Sequence, residues 1–363
     1  MPRRSPRKNP IITAMKNSLS LNRKTISMLV AAWAISATTS LAQEPGPNSA
    51  TEARAEKLSL PKGAAFLDSA ALNWTTKNKC GSCHSNVAYM IARPALKDVP
   101  GQAMTKVRAF FEDRAANWDK EGKAKPRWDA EVVTTAVALA FNDAQTTGKL
   151  HELTRGALDR MWKLQKPDGA WFWLKCGWPP MEHDDYFGAV FAALGVGIAP
   201  DDYAKSPKTQ AGLVKLRRYF KDNPPPDLHH EALLLWASCR LDGLVSAAQK
   251  KATMDKLLAL QRPDGGWSLP SLGTWKRRDG SANDKNAPSD GYGTGLAVVV
   301  LRQAGLPKDD DRIKKGVAWL SANQRVSGRW FTRSLNNDRD HYITHTGTAY
   351  AVMALRMCEV DGK

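Results

Sequence analysis

The sequence predicts an all-helical protein whose helical hairpins close into a single ring. Three observations support this fold class. A turn motif with the pattern Gln-x-x-Asp-Gly-x-Trp recurs, each copy follows a helical pattern of apolar residues, and each precedes a second helix rich in Gly, Ala and Val. Self-similarity at roughly 45 to 60 residues is typical of stacked units that cannot bury their apolar faces alone.

The first 42 residues have the features of a secretory signal. A basic region precedes an apolar stretch over residues 26–37, and small residues at Ser40 and Ala42 suit cleavage before Gln43. The basic residues are Arg3, Arg4, Arg7, Lys8, Lys16, Arg23 and Lys24. Because the apolar stretch is shorter than roughly 18 residues, we expect a cleaved signal rather than an uncleaved anchor. The mature chain is then periplasmic or extracellular, without a transmembrane span.

The charge of the chain gives no indication of a nucleic-acid site. The formal net charge is +17, and loss of the signal removes seven positive charges and no acid, which leaves +10. The remaining basic residues are spread along the chain instead of forming a dense block among aromatic residues. Residues 43–60 are rich in Glu, Pro, Ala and Ser and predict a flexible linker, so the ring occupies residues 61–363.

The turn motif has a physical reason for each of its residues. It is intact at residues 165–171 and 261–267, and a degenerate copy with Ser327-Gly328 lies at residues 324–330. Asp-Gly or Ser-Gly ends the first helix and turns the chain. We expect the Trp to cover the exposed helix end, and the Gln to bond carbonyls there. The small-residue helix that follows can pack closely inside a ring of bulkier helices.

This template traces six hairpins, each with an outer and an inner helix. The predicted pairs are residues 62–76 and 84–97, 102–118 and 129–145, 150–165 and 183–197, 209–221 and 228–244, 250–261 and 290–305, and 311–324 and 341–358. Hairpins one, two and four lack the full motif. Six units can close on themselves and need no capping repeats, which favours one ring over two domains.

The three motifs resemble the QW repeats of squalene–hopene cyclases, which belong to the terpenoid-cyclase and protein-prenyltransferase superfamily. The resemblance covers roughly residues 60–363 and implies an α/α toroid with inner and outer rings of helices. This fold hosts several unrelated chemistries, so the repeat is specific for the fold and not for the activity.

The resemblance extends to an acidic motif at the start of the third inner helix. Glu182-His183-Asp184-Asp185 is similar to the DxDD motif of the cyclases, which implies Asp184 as a proton donor beside Glu182 and Asp185. Crowded carboxyl groups raise the pKa of one of their number, so that one stays protonated. The motif departs from the family at Glu182 and at Tyr186, where the family has Thr. The alternative is that these acids cap the helix.

A zinc site of the prenyltransferase kind is matched only in part. Asp290-Gly-Tyr292 is similar to the Asp-x-Cys pair of those enzymes, and residues 340–342 with His345 are similar to their histidine segment. Tyr292 stands where the thiolate is needed. Because the thiolate is the strongest zinc ligand, the sequence does not favour a prenyltransferase.

A Cys-x-x-Cys-His motif at residues 80–84 is the most specific chemical signal. In an exported protein this pattern is typical of c-type haem attachment. Cys80 and Cys83 would bond the haem vinyl groups, and His84 would ligate the iron. Two alternatives stay open: a disulfide that staples the loop, and zinc or iron bound by Cys and His side chains.

The haem motif is predicted to lie in the turn of the first hairpin rather than in a separate cytochrome domain, because an inner helix follows it directly. A distal ligand must then come from another hairpin. The candidates are Met181, His183, His230, His341 and His345. Cys176 could pair with a cysteine of the motif or bind a metal.

Polar side chains are predicted to gather at one mouth of the ring, because all inner helices of such a ring start at the same end. Six of the seven histidines fall near these starts: His84, His183, His229, His230, His341 and His345. The helix N-termini there suit an anionic ligand, a metal or haem propionates. The predicted ligand-contacting residues are Trp171, Trp173, Tyr186, Asp290, Tyr292 and Tyr342. The alternative is that loops and caps are polar everywhere.

Three functional hypotheses follow. The first is an exported c-type haem protein on a cyclase-like toroid, which performs electron transfer or redox chemistry at the mouth with a redox partner protein. The second is a haem-free, acid-initiated enzyme that uses Glu182, Asp184 and Asp185 on an apolar, terpenoid-like molecule. The third is a non-catalytic binding or scaffold module. The sequence favours the first, because the haem motif is intact and the acid motif is altered.

Overall fold

A computed structural model describes residues 46–99, 101–123, 125–126, 128–337 and 342–360. The predicted signal segment and His341 lie outside these residues. The described part of the chain contains twelve α-helices and no β-strand, which confirms the all-helical prediction. None of its helices is both long enough and apolar enough to cross a membrane.

The helices form six hairpins in which odd-numbered helices are outer and even-numbered helices are inner. They are α1 (Leu60–Asn78), α2 (Asn86–Ala92), α3 (Ala103–Asn117), α4 (Asp129–Thr146), α5 (Glu152–Lys163), α6 (Asp185–Ile198), α7 (Pro207–Asp222), α8 (Leu228–Ser238), α9 (Ala247–Ala259), α10 (Gly291–Gln303), α11 (Asp311–Asn323) and α12 (Ile343–Met357). The inner helix predicted over 84–97 is shorter. It changes to a 3-10 helix at Arg93–Leu96, where Pro94 has no amide hydrogen to donate.

The inner helices close into one ring. Each packs on the next, from α2 through α4, α6, α8 and α10 to α12, and α12 packs back on α2. Glycines allow the close approach: a Cβ added to Gly295 would lie 2.7 Å from the Ala351 nitrogen, and one on Gly195 would lie 2.8 Å from a Val137 methyl carbon. The toroid and its small-residue inner helices are therefore as predicted.

The tryptophans of the three turn motifs are fully buried. Each indole N–H donates to a backbone carbonyl ten residues earlier, in the outer helix of the same hairpin. The pairs are Trp171 with Met161 at 2.8 Å, Trp267 with Leu257 at 2.7 Å, and Trp330 with Leu320 at 2.8 Å. The indole thus satisfies a carbonyl near the end of its outer helix and covers that helix end.

The glutamines of the same motifs join neighbouring hairpins. The Gln324 side chain donates to the Gly328 carbonyl at 3.0 Å and to the Ser59 carbonyl at 2.8 Å, and it accepts from the Ser59 amide at 2.7 Å. Ser59 caps α1, so this side chain ties the sixth hairpin to the first. The other two glutamines make the same double contact: Gln165 with Gly169 and Gly212, and Gln261 with Gly265 and Arg312.

The described part of the predicted linker lies along the turn of the sixth hairpin. Ala55 donates its amide to the Gln324 carbonyl at 2.8 Å, and Val326 donates to the Ala53 carbonyl at 3.0 Å. Glu52 forms an ion pair with Arg329 at 2.7 Å. A composition poor in apolar residues predicts mobility, but backbone hydrogen bonds and a largely buried ion pair attach this segment to the ring.

Candidate functional site

The Cys-x-x-Cys-His motif lies in the turn between α1 and α2, as predicted. Asn86, the first residue of α2, is fully buried and holds both sides of the turn. Its side-chain oxygen accepts from the Ser82 amide at 2.8 Å, and its side-chain nitrogen donates to the Cys80 carbonyl at 3.1 Å. The Trp74 indole donates to the same carbonyl at 3.1 Å. Side-chain hydrogen bonds therefore hold this turn without the Gln and Trp that occupy the turns of hairpins three, five and six.

The reactive side chains of this turn face the start of the third inner helix. His84 is 9% exposed, and its Nδ1 lies 3.4 Å from the Glu182 carboxylate. Cys83 is 4% exposed, and burial together with the negative charge of Glu182 raises the pKa of its thiol. Cys80 is half-buried, and the structure shows no disulfide between the two cysteines.

Glu182 is the acid that links the first and third hairpins. Its backbone pairs with Trp178, whose carbonyl accepts from the Glu182 amide at 2.9 Å. Burial would raise the pKa of this carboxyl group, but hydrogen bonds from His84 and from the Cys176 thiol outweigh it and lower the pKa. The carboxylate is thus ionised beside the His84 imidazole.

A cavity of about 190 Å³ opens beside His84. Aromatic rings of Trp74, Trp178 and Tyr342 line it, together with Glu182. The Trp74 and Tyr342 rings meet edge to face with centroids 4.7 Å apart, and Tyr342 is 42% exposed. The imidazole therefore borders a small aromatic cavity with an accessible rim.

The structure separates the predicted distal ligands. The His345 Nδ1 is 2.8 Å from the Ser85 hydroxyl, so His345 contacts the residue that directly follows the Cys-x-x-Cys-His motif. Met181 is 2% exposed and its carbonyl accepts from the Trp173 indole. His183 is exposed and lines a second cavity. His230 is fully buried among carboxylates, as described next, and the remaining candidate is not among the described residues.

Asp184 and Asp227 hold His230 between them. The His230 Nδ1 is 2.7 Å from Asp227, and its Nε2 is 3.3 Å from Asp184. Burial disfavours the charged imidazole, but the two carboxylates outweigh burial and raise the pKa of His230 to about 9. The same ion pair lowers the pKa of Asp184.

The predicted acid motif is thus occupied by capping and ion pairs. Asp184 accepts from the Phe187 amide at 2.9 Å as the N-cap of α6. Asp185 forms ion pairs with Lys166 at 3.4 Å and with Lys175 at 3.3 Å. Since the pKa values of both Glu182 and Asp184 are lowered, neither carboxyl group is poised as the proton donor that an acid-initiated reaction needs.

Among the described residues, one group of side chains has metal-ligand types and spacing. Asp227, His229 and His230 each offer a ligand atom, and these atoms lie within 4.8 Å of one another. His229 is fully buried, and its Nε2 is 2.8 Å from the Tyr292 hydroxyl. Burial lowers the pKa of His229 to about 3, so its imidazole is neutral. The neutral imidazole of His229 packs beside the charged imidazole of His230.

Most of the predicted ligand-contacting side chains are core residues in the structure. Trp171 and Tyr292 are fully buried, and Tyr186 is 4% exposed. Trp173 donates its indole N–H to Met181, and Asp290 caps α10. These side chains are buried by packing among the helices and the turns that join them. Tyr342, by contrast, is 42% exposed and borders the cavity beside His84.

A second cavity, of about 400 Å³, shares Trp178 and Pro179 with the first. Its opposite wall carries three consecutive cations at residues 276–278, followed by Asn336 from the loop before α12. Sequence analysis missed this wall and missed Trp74. The only signal for the cations was a short basic run inside the long loop that follows Trp267.

Comparisons with known proteins add a likeness to cyclases. No family model matches the chain. Over 109 residues the chain is 30% identical to a squalene–hopene cyclase of Zymomonas mobilis. The match covers 30% of this chain and only 14% of that enzyme. It supports the description of the ring as a squalene-cyclase-like toroid.

Three of the solved structures that match have low sequence identity to this chain. A polysaccharide lyase has a TM-score of 0.48 at 11% identity, covering 82% of this chain and 97% of its own. A possible GH105 family member from Klebsiella pneumoniae has a TM-score of 0.46 at 12% identity, with coverage of 75% and 80%. The ent-copalyl diphosphate synthase of Streptomyces platensis has a TM-score of 0.28 at 14% identity, with coverage of 75% and 41%.

Proposed function

We propose that this protein carries a covalently attached c-type haem at Cys80, Cys83 and His84. We also propose that it is exported and transfers electrons in the periplasm or outside the cell. One observation carries the proposal. The histidine of an intact attachment motif turns its Nδ1 to the Glu182 carboxylate at 3.4 Å. Metal-binding histidines are oriented in this way, with one nitrogen on an acceptor and the other left for the metal.

The side chains at the site fit a haem by type. Two thiols supply the covalent links and His84 supplies the axial nitrogen, while haem, when bound, supplies one-electron transfer at its iron. The cavity beside His84, about 190 Å³, is smaller than the roughly 300–1,000 Å³ of enclosed ligand pockets. The proposal therefore requires a haem that is exposed at the mouth, where a redox partner can approach it.

Glu182 has the role of a positioning residue in this proposal. Its ionised carboxylate accepts the Nδ1–H of His84, which fixes the tautomer and makes the imidazole a stronger donor to a metal. We expect Glu182→Gln to raise the reduction potential of the haem, because a neutral amide stabilises the oxidised iron less. Redox titration of the loaded protein checks this, and an unchanged potential would contradict the role.

Attachment itself is tested on protein made with haem-maturation machinery. We expect a Soret band, a positive pyridine haemochrome assay and a covalent haem mass. Cys80→Ala with Cys83→Ala abolishes the covalent mass. Cys239→Ala is the matched control, since Cys239 lies at the end of α8, and this variant keeps the haem. Wild-type protein without covalent haem would refute the proposal.

Export rests on residues 1–42 and is tested separately. Fractionation of cells that express the full chain should recover a mature form that begins at Gln43 outside the cytoplasm. N-terminal sequencing identifies the cleavage point, and a cytoplasmic chain that retains Met1 would contradict export.

A further inference from the structure

We propose that Asp227, His229 and His230 bind a divalent transition-metal ion at the start of α8. Each side chain offers one donor atom, and these atoms lie within 4.8 Å of one another. Two imidazoles and one carboxylate suit zinc and its first-row neighbours, whereas magnesium and calcium prefer oxygen donors alone. The site shares no residue with the Cys-x-x-Cys-His motif and does not depend on haem attachment.

A nitrogen of His229 is the feature that points to a ligand. His229 is fully buried, and its Nε2 is 2.8 Å from the Tyr292 hydroxyl. Its Nδ1 is also buried and has no hydrogen-bond partner among the residues that the structure describes. Such a group is costly in a folded protein, and a bound ion is one of the few ways to satisfy it. With the proton on Nε2, donated to the Tyr292 oxygen, the lone pair of Nδ1 is left for a metal.

His230 is arranged in a similar way, with an acid beside each ring nitrogen. Its Nδ1 is 2.7 Å from the Asp227 carboxylate, and its Nε2 is 3.3 Å from the Asp184 carboxylate. Histidines that bind a metal through one nitrogen usually contact a carboxylate or another acceptor through the other. Asp227 is therefore the carboxylate ligand of the site, and Asp184 is a positioning residue that orients His230.

The charge of the cluster suits a divalent cation. With both imidazoles neutral, Asp184 and Asp227 place two negative charges around His230, and their side chains are only 26% and 7% exposed. In the metal-free protein a proton on His230 balances part of this charge. Metal binding releases that proton to solvent, since a ligating imidazole must be neutral.

The start of α8 already holds the donors close to bonding distance. Asp227 is the N-cap of this helix, and its carboxylate accepts from the His230 amide at 3.0 Å. Zinc bonds to nitrogen and oxygen at roughly 2.0–2.2 Å, so two donors of one ion are at most about 4.4 Å apart. A small rotation of the side chains therefore completes the site.

A bound ion would join three inner helices at the mouth of the ring. The ligands belong to the start of α8, Asp184 is the N-cap of α6, and Tyr292 lies in the first turn of α10. Because the ion binds the folded state, its presence should raise the thermal midpoint of unfolding.

The test is a titration with Co²⁺, followed by displacement with Zn²⁺, on the full chain purified without a histidine tag. Cys80→Ala with Cys83→Ala is the background, because thiolates of the motif bind the same metals. We expect one equivalent of Co²⁺ with visible d–d absorption, no cobalt–thiolate band in the near ultraviolet, and a higher thermal midpoint.

Variants on this background assign the site. Asp227→Asn keeps an N-cap but removes the anionic ligand, and Tyr292→Phe removes the oxygen beside Nε2 of His229. We expect each to weaken Co²⁺ binding about tenfold or more. His183→Gln is the matched control, since it removes an exposed histidine near the same mouth and should leave binding unchanged.

Expression in zinc-supplemented medium, with metal analysis of the purified protein, gives a second route into the buried site. Protein on this background that holds no stoichiometric metal by either route overturns the inference. Binding that Asp227→Asn and Tyr292→Phe both leave unchanged overturns it as well. Since the titrated protein carries no attached haem, neither outcome depends on the proposed electron transfer.

Discussion

The first and the fifth hairpins use the same turn position for different purposes. In the fifth, Trp267 fills the turn, and Asp290 caps α10 and donates its amide to the Trp267 carbonyl at 2.9 Å. In the first, Cys80, Cys83 and His84 occupy the turn. Ser85, which precedes α2, makes no side-chain cap, and its hydroxyl contacts His345 instead.

The difference teaches how a repeat fold gains a site. Three turns with Gln and Trp link their outer helices to the next hairpin, and one of these links closes the ring. The first hairpin receives such a link from Gln324 at Ser59, the N-cap of α1, and its own turn has neither the Gln nor the Trp of the motif. The hydrogen bonds that hold this turn use the backbone of Cys80 and Ser82, and the turn lies at the same end of the ring as the starts of the other inner helices. Four substitutions test this division between structural and chemical turns.

Loss of a motif tryptophan should have the largest effect on stability. Trp267→Ala removes a fully buried ring and its hydrogen bond to Leu257, so we expect the free energy of unfolding to fall by about 3–5 kcal/mol. Urea denaturation measures the change. Phe172→Ala is the control, since this side chain is 67% exposed and its loss should cost no more than about 0.5 kcal/mol. Similar losses of unfolding free energy in the two variants would contradict the structural role of Trp267 in the turn of the fifth hairpin.

The cap of the fifth hairpin should make stability depend on pH. Burial raises the pKa of Asp290 to about 6, although it accepts from the Gly293 and Leu269 amides. The folded state then holds this proton more tightly than the unfolded chain, whose pKa is about 3.9. Its stabilising contribution is complete below about pH 4 and is lost as the pH rises through about 6.

The Asp290→Asn variant isolates the pH-dependent contribution of this carboxyl group to stability. At roughly 1.4 kcal/mol for each pKa unit, the free energy of unfolding of the wild type should fall by about 3 kcal/mol relative to the variant between pH 4 and pH 7. Urea denaturation at several pH values measures both curves. Parallel curves would show that Asp290 does not hold a proton in the folded state.

Substitution of the motif glycine should destabilise the protein through a steric clash, in addition to the strain of its positive φ. Gly265 has a φ of +88°, and an added Cβ would lie 2.7 Å from the Lys315 carbonyl oxygen. Gly280 has a φ of +84° and open space around it. Both Ala variants therefore share the backbone strain, and we expect Gly265→Ala to lose about 1–3 kcal/mol more than Gly280→Ala. Equal thermal and urea midpoints would contradict this contact.

Changes in the first turn should have the smallest effect on stability. In haem-free protein we expect Cys80→Ala with Cys83→Ala to cost about 1 kcal/mol, because the hydrogen bonds from Trp74 and Asn86 hold the turn through the Cys80 carbonyl and the Ser82 amide, which both substitutions leave in place. The same variant removes covalent haem attachment under the proposed function. A loss as large as that of Trp267→Ala would mean that the first turn is structural as well.

Much of the fold followed from local patterns. The Asp-Gly turn, the buried Trp and the small-residue helix are short-range features, and each has one low-energy arrangement, so six hairpins and their order could be traced. The turn around Cys80 was placed correctly for the same reason. The end of α2 was missed, since the prediction did not weigh Pro94 against the helical pattern.

Pairs across the ring could not be predicted. The sequence placed His84, Glu182, Asp184 and His230 at one mouth, but it did not show that His84 faces Glu182 or that His230 lies between two carboxylates. The contacts of His84 with Glu182 and of His230 with Asp184 join residues 98 and 46 positions apart, and they depend on the registry with which separate hairpins pack. The position of the cationic wall at residues 276–278 could not be predicted for the same reason.

The sequence by itself determined the hairpins, the motif turns and the position of Cys80, Cys83 and His84 in the turn of the first hairpin, because local hydrogen bonds and residue types carry that information. The tertiary structure alone decided which side chains are accessible and which are charged. Trp171 and Tyr292 became core residues and Tyr342 kept an exposed rim, since burial depends on how closely the inner helices approach. The pKa of His230 rose and that of His229 fell for the same reason: two adjacent imidazoles met different neighbours once the ring had closed.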